Sequence, residues 1–507
     1  MLAHSHMVIV RRLGLPTLFL ALSACLLSMP RLADAQQLSA TIEKEILVLQ
    51  TGSAGTGSMR PSDLNLVFDG REQPVTTVRP IPSPMSDQGD LWRIVIYVDP
   101  ALASPEGLEQ SISILRATAA NLTRLGSVEI VVADPFAEAF MEPSRDTEYV
   151  VEGLLDLEDY VDGAGEIVAL RSEMVVAQSD GDEGALEPML AEEGSLQSNQ
   201  RSEFLAWLAT SPDSTRPSLL ILLQDGYDLN PFGALPSSPA GDLGDRAYMA
   251  LSQEQQTLAA VLASQGWLAC SLAPPRPADG LLKSREDALW MLIEPTGGTL
   301  ATGLEEWQAT LTGLGTAFRL RARFSGAVDG IPKPVILRFR DGSRLRTTQW
   351  VALGTPLPIS EIRAERELED PGLDPGELEI RSILRPDTEG EPRSGSLPAI
   401  LEAIVPTAGF KGASATFRIT LLLVRLDEPP VIGHQLVDPG EIGGSAWLYR
   451  KRLEIPEEIE GAVVVIEDLE SGKWGATTVE PSEVGFSTSG QGVVEWNDPS
   501  VEQVAPT

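Results

Sequence analysis

Two aspartates close long apolar runs, Asp99 after residues 94–98 (IVIYV) and Asp225 after residues 219–223 (LLILL) with Gln224 between. Carboxylates at the ends of buried strands can do one of two things: hold a hard cation through oxygen, or accept backbone N–H bonds that close a loop. Other reactive groups are scarce. The 507 residues include two Cys and three His. Arg11 and Arg12 precede an apolar stretch (13–29, with Pro16 inside), and Ala33-Asp34-Ala35 precedes Gln36. This reads as an export signal cleaved after Ala35. Its removal takes away Cys25, His4 and His6, so the mature chain keeps Cys270 and His434 alone. No intramolecular disulfide can then form. Triad chemistry would have to run through His434, and multi-histidine zinc sites are impossible. Cys270 sits in the apolar run 267–272 (WLACSL), where a thiol is usually a small buried hydrophobe rather than a nucleophile.

Charge narrows the partners. Lys and Arg number 38 against 73 Asp and Glu, a formal charge of −35; loss of three Arg and one Asp with the signal takes it to −37. Such a surface repels phosphate backbones and anionic membrane faces, which excludes nucleic acid and leaves neutral, basic or cation-bridged partners. Residues 151–193 hold thirteen acids against Arg171 alone. Asp180, Asp182 and Glu183 around Gly181 could clamp calcium, but the complete EF-hand pattern is absent, and a solvated acidic insertion with one helix near 167–178 is the default. Arg319, Arg321 and Arg323 alternate on one strand face; they could take an anion or polysaccharide, yet in so acidic a chain they should meet its own carboxylates. The glycine-rich loop 52–57 lacks the Lys-Ser/Thr of a phosphate loop and reads as a connector. Paired carboxylates acting on a glycan need neither His nor metal, but among 72 acids close pairs arise by chance.

The elements that must position Asp99 and Asp225 are strands alternating with helices. Runs at 94–98 and 219–223 are apolar throughout, as strands buried on both faces are, and 128–132, 267–272 and the short 299–302 read as further strands. Between the first two, Leu108, Ile112, Leu115, Ala119, Leu122 and Leu125 make one helical stripe, with Ser104-Pro105 supplying a cap and first turn. Helices are also expected at 253–264, 285–293 and 305–314. The expected fold class is α/β: a doubly wound, mostly parallel sheet over 90–316, interrupted by an acidic insertion at 151–200. A small β-hairpin unit at 40–88 precedes it, and an antiparallel β extension at 317–360 follows. A Pro/Glu-rich linker at 361–376 leads to a β-sandwich-like domain at 377–484 and a flexible tail at 485–507. Trp207, Trp267, Trp290 and Trp307 fall on predicted helices or strands as core or interdomain filler. Beyond the first segment, no stretch reaches the length of apolar residues that a membrane helix needs.

Leu22-Ser23-Ala24-Cys25 resembles a lipobox, which would anchor the mature chain through a lipid on Cys25; Leu26 and Leu27 prolong the apolar run and favour cleavage after Ala35 instead. The same stretch could also stay as an uncleaved anchor. Residues 64–78, 94–99, 221–228 (ILLQDGYD), Thr296-Gly-Gly298, 318–324, 453–456 (LEIP) and 467–473 (EDLESGK) resemble, in order and spacing, exported bacterial proteins with a von Willebrand factor type A domain. The resemblance covers most of residues 60–480. It implies a divalent-cation adhesion site at the carboxyl edge of the sheet, with ligands Asp-x-Ser-x-Ser, a Thr from a later loop and a distal Asp. Here the run is Asp99-Pro-Ala101-Leu-Ala103, so methyl groups stand where both serine hydroxyls should be. Asp225 matches the distal Asp, Ser144 or Thr147 are the candidates for the Thr position, and Ser104, which looks more like a helix cap, could substitute if the loop shifted by one residue. The resemblance therefore implies a degenerate site on Asp99 and Asp225, with no tight cofactor and at most a weak magnesium or calcium site completed by a partner's carboxylate.

The function expected is an exported, periplasmic, extracellular or envelope-associated protein-binding and adhesion scaffold without catalysis. Recognition would fall to exposed loops carrying Pro100 and Ser104 on one side and Tyr227, Asp228 and Asn230 on the other. The alternatives are a carboxylate-based glycan-acting enzyme and an envelope-structural lipoprotein.

Overall fold

A computed structural model describes residues 39–49, 59–81, 91–161, 163–180, 182–211, 216–227, 241–272, 283–327, 329–340, 345–372, 376–387, 396–406, 416–425, 428–437, 446–456, 459–469, 472–479 and 495–496. The export signal, Cys25, the glycine-rich loop and Asp228 and Asn230 lie outside these residues.

The fold is mixed α/β. Its largest sheet has six strands: β5 (Trp92–Val98), β6 (Gly126–Ala133), β7 (Ala137–Ser144), β8 (Ser218–Leu223), β9 (Trp267–Leu272) and β10 (Thr299–Ala301). Their spatial order is β10-β9-β8-β5-β6-β7, parallel except for the antiparallel edge strand β7, which composition had not disclosed. Period-two alternation sends side chains to opposite faces. Ile94, Ile96, Val98, Leu219, Ile221 and Leu223 face one core with helices α1 (Pro105–Leu125), α2 (Thr147–Asp156) and α7 (Leu304–Leu314). Val95, Tyr97, Leu220 and Leu222 face the other with α4 (Glu183–Thr210), α5 (Gly241–Ser264) and α6 (Lys283–Ile293). The predicted α1 stripe is buried at all six positions. Trp207, Trp267 and Trp307 are buried as expected, whereas Trp290 is exposed.

The acidic stretch is not one solvated helix. It folds as α2, α3 (Glu166–Ser179) and α4, and its single base is spent internally: Arg171 Nη2 lies 2.6 Å from Glu193 Oε1, with both side chains buried. Gln197 Nε2 donates to the same oxygen at 2.8 Å. Asp182 caps α4 by accepting from the Ala185 N–H.

The expected N-terminal unit and the β extension belong together. β1 (Ser39–Leu49) runs antiparallel to β11 (Phe318–Ala327) from Ser39 opposite Ala327 to Val48 opposite Phe318. β2 (Leu64–Phe68) pairs with β12 (Lys333–Phe339), and Ile42, Ile46, Leu66, Phe68, Leu320, Phe324 and Leu337 share one core. The alternating arginines meet their own chain: Arg319 and Arg321 pair with Glu45, and Arg323 with Glu43.

The stretch expected as a linker from 361 is for the most part helix α8 (Leu357–Glu369), whose Ile359, Arg363, Ala364 and Glu367 are buried. Arg363 Nη1 sits 2.7 Å from Glu467 Oε1, its Nε donates to the Ala209 carbonyl at the end of α4 (3.2 Å), and its guanidinium covers the Trp474 ring at 4.3 Å. Arg418 and Ser360 complete the ring around Glu467. Two four-stranded antiparallel sheets follow. One has the order β15 (Arg381–Pro386), β16 (Ser396–Pro406), β19 (Ala446–Pro456), β22 (Glu495–Trp496). The other runs β18 (Glu428–Val437), β17 (Phe417–Arg425), β20 (Gly461–Asp468), β21 (Trp474–Val479). Leu401 and Tyr449 of the first pack with Ile419 and Val464 of the second in one core. β22 lies in the segment expected to be a loose tail, with Trp496 opposite Leu453.

Candidate functional site

Parallel strands β5 and β8 are neighbours, so their carboxyl ends bring Asp99 and Asp225 to the same edge of the sheet from positions more than a hundred residues apart. Both are buried, Asp99 fully and Asp225 to 5 % exposure. Asp99 Oδ1 accepts from the Leu102 N–H at 3.0 Å, and Asp225 Oδ2 from the Ser104 N–H at 2.9 Å. The Asp225 N–H returns a bond to the Leu102 carbonyl (3.1 Å), and the Asp99 N–H donates to Leu223 (3.2 Å). The two carboxylates thus close the turn after β5 and fasten it to the turn after β8. Gly107 in the first turn of α1 permits this fit: a Cβ there would stand 2.6 Å from Ser104 Oγ and 3.3 Å from Asp225 Oδ1.

Exposure was expected of Pro100, Ser104 and Tyr227, and the structure corrects it. All three are buried: the Pro100 carbonyl accepts from the Gly165 N–H ahead of α3 (3.1 Å), the Ser104 N–H is bonded to Asp225, and Tyr227 packs with Phe204 of α4 in one core. Ser144 and Thr147 are not brought to the pair. Ser144 lies opposite Val128, at the amino end of β6, roughly 15 Å of strand from the Asp99 edge. There Thr147 and Thr123 share a hydroxyl bond of 2.7 Å. Thr296 of the Thr-Gly-Gly run accepts from the Ala269 N–H (2.9 Å) and holds the turn into β10 against β9.

A buried polar cluster that sequence reasoning missed adjoins Asp99. Burial, reinforced by the Asp99 charge, pushes the Tyr97 and Tyr227 hydroxyls well above their usual pKa, so both stay neutral donors. Arg201 of α4 places its guanidinium 4.9 Å from the Tyr227 ring centroid and pairs with Glu254. Among the described residues, neither tyrosine hydroxyl nor the Gln224 amide has a hydrogen-bond partner. The one sequence signal for this cluster is a tyrosine inside an otherwise aliphatic strand run; Arg201 lies beyond the acidic stretch, in a polar segment that gives no hint of it.

The remaining candidate groups are distant or enclosed. His434 Nδ1 contacts Thr420 Oγ1 (3.0 Å) and Nε2 contacts Glu361 Oε1 (3.1 Å), far along the chain from the sheet edge. Cys270 is buried in β9. Among the described residues no group of three or more His, Cys, Asp or Glu is arranged to hold a metal ion, and no helix is long and apolar enough to cross a membrane.

No family model and no curated protein matches the chain. Solved structures similar in part include BatB, a conserved hypothetical protein from Bacteroides thetaiotaomicron, at 10% identity and a TM-score of 0.22, over 44% of this chain and 97% of that one. A second is an aerotolerance-related membrane protein from Bacteroides fragilis, at 10% identity and 0.22 over 44% and 98%. A third comprises three N-terminal domains of the type V pili tip protein Mfa5 from Porphyromonas gingivalis, at 8% identity and 0.25 over 87% and 98%.

Proposed function

We propose that the protein is an exported, non-catalytic protein-binding or adhesion scaffold, built on a von Willebrand type A-like α/β domain that a C-terminal β-sandwich orients. The observation that carries this reading is the use made of Asp99 and Asp225: each spends a carboxylate oxygen on a backbone N–H, which stiffens the carboxyl edge of the sheet. The donor set does not fit magnesium, which asks for near-octahedral oxygen ligands. Ala101 and Ala103 supply none, Ser144 and Thr147 lie at the other end of the strands, and Leu102 and Ser104 amides occupy oxygens of the two carboxylates. The engagement of His434 with Glu361 and the burial of Cys270 favour a scaffold over an enzyme. The domain reading is that residues 90–316 form the type A-like unit, 40–88 with 317–360 one β unit, and 377–484 the sandwich, with α8 joining them.

In envelope extracts of the producing cells, mild crosslinking followed by native electrophoresis is expected to place the chain in a heteromeric complex that survives EDTA. Recovery of the monomer alone, or of glycan hydrolysis that disappears in Asp99→Asn, would overturn the reading.

A further inference from the structure

The outer edge of β7 and the adjoining helix α2 form a surface that the Asp99 and Asp225 edge does not involve. β7 ends the six-stranded sheet, so its outer backbone groups face no strand of that sheet. Phe136 and Phe140 are exposed beside it, as are Tyr149 and Leu155 on α2, in a chain with only 5% aromatic residues. Between the strand and the end of α2 lies a notch of about 320 Å³ lined by Phe140, Tyr160, Asp156 and Asp159. The Phe140 and Tyr160 rings meet edge to face at 5.8 Å. Glu158 is paired with Arg116 at 2.6 Å, whereas neither Asp156 nor Asp159 has an ion-pair partner among the described residues.

We infer that this notch receives an arginine side chain from an extended basic segment of a protein partner. Two carboxylates beside two aromatic rings suit a guanidinium, which accepts a carboxylate fork on its edge and an aromatic ring on its face. The surroundings select the same charge: Glu138 and Glu142 on β7 and Glu148 and Glu152 on α2 are exposed acids, with Arg145 the one base between them. A second copy of this chain is excluded as occupant by the same charges, because pairing two β7 edges would set glutamates against glutamates. Gly153 keeps α2 close to the strand, since a Cβ there would stand 2.6 Å from Met141 Sδ.

The test uses residues 36–507 and a fluorophore-labelled Gly-Arg-Val-Arg-Val-Gly peptide, read by anisotropy at 150 mM salt. Asp156→Asn with Asp159→Asn is expected to weaken binding at least tenfold and Phe140→Ala about fivefold. The charge-matched control Glu109→Gln with Glu305→Gln, two exposed acids elsewhere, is expected to change it less than twofold. Replacing both peptide arginines by citrulline should abolish binding, and a photoreactive version should crosslink within residues 136–160. An equal loss in the charge-matched control, equal affinity for the citrulline peptide, or crosslinks outside 136–160 would each overturn the proposal. Failure here would leave the reading of the Asp99 and Asp225 edge intact, and failure of that reading would leave this one intact.

Discussion

Replacing Arg171 by Met should release the acidic helices α3 and α4 from each other. Arg171 is 5 % exposed and Glu193 1 %, and the guanidinium reaches both carboxylate oxygens, Nη2 at 2.6 Å and Nε at 3.2 Å from each. With charge centres about 4 Å apart and an effective dielectric of about 20, their attraction is about 4 kcal/mol. Removing one member of such a pair leaves a buried charge uncompensated, at about 3–5 kcal/mol. The Gln197 N–H retained by Glu193 at 2.8 Å places the expected loss near the lower end, about 3 kcal/mol. At about 1.4 kcal/mol per tenfold, amide exchange across residues 166–179 and 183–210 should accelerate roughly a hundredfold. Hydrogen–deuterium exchange with peptide resolution reads this directly. Arg171→Met with Glu193→Leu should recover most of the protection, because an apolar pair of similar volume needs no solvation. Acceleration below tenfold in the single variant, or no recovery in the double, would refute the reasoning that this ion pair orders the acidic segment.

Three further outcomes are expected. Glu365 lies half-buried on α8 between Glu361 and Glu369, and burial followed by those two like charges raises its pKa to about 7. Its contribution to stability is therefore full below about pH 4.5 and is lost as pH rises through about 7. Glu365→Gln should stabilise the protein at pH 8 by about 1–2 kcal/mol, after discounting for partial exposure, and the gap should close below pH 5 in urea melts. Asp225→Ala removes the acceptor for the Ser104 N–H and should cost about 1–3 kcal/mol, visible as a lower urea midpoint; a change under 0.5 kcal/mol would show that this bond does not hold the loop. In residues 36–507 the Cys270 thiol should react with a disulfide reagent only in denaturant, since β9 encloses it; rapid native labelling would refute its placement in the core.

Periodicity carried the central architecture. Uninterrupted apolar runs in β5 and β8 announced strands covered on both faces, and the α1 stripe announced the helix between β5 and β6, because burial on two faces or one stripe is a local property of sequence. The two aspartates at the strand ends were legible for the same reason. What those aspartates do was not, since the backbone amides of Leu102 and Ser104 become their partners only when the turn folds over the neighbouring strand. Charge misled the local reading in two places. The acidic run looked solvated and 361–369 looked like a linker, because the bases that neutralise buried Glu193 and Glu467, namely Arg171, Arg363 and Arg418, come from other helices and strands. The pairing of β1 with β11 across some 280 residues, and the open acidic edge at β7, likewise arise from which strand lies beside which. Sequence by itself determined which segments bury which faces. The tertiary structure decided which charges meet and which strand ends the sheet, because Coulomb pairing and strand addition depend on distance in space and not along the chain.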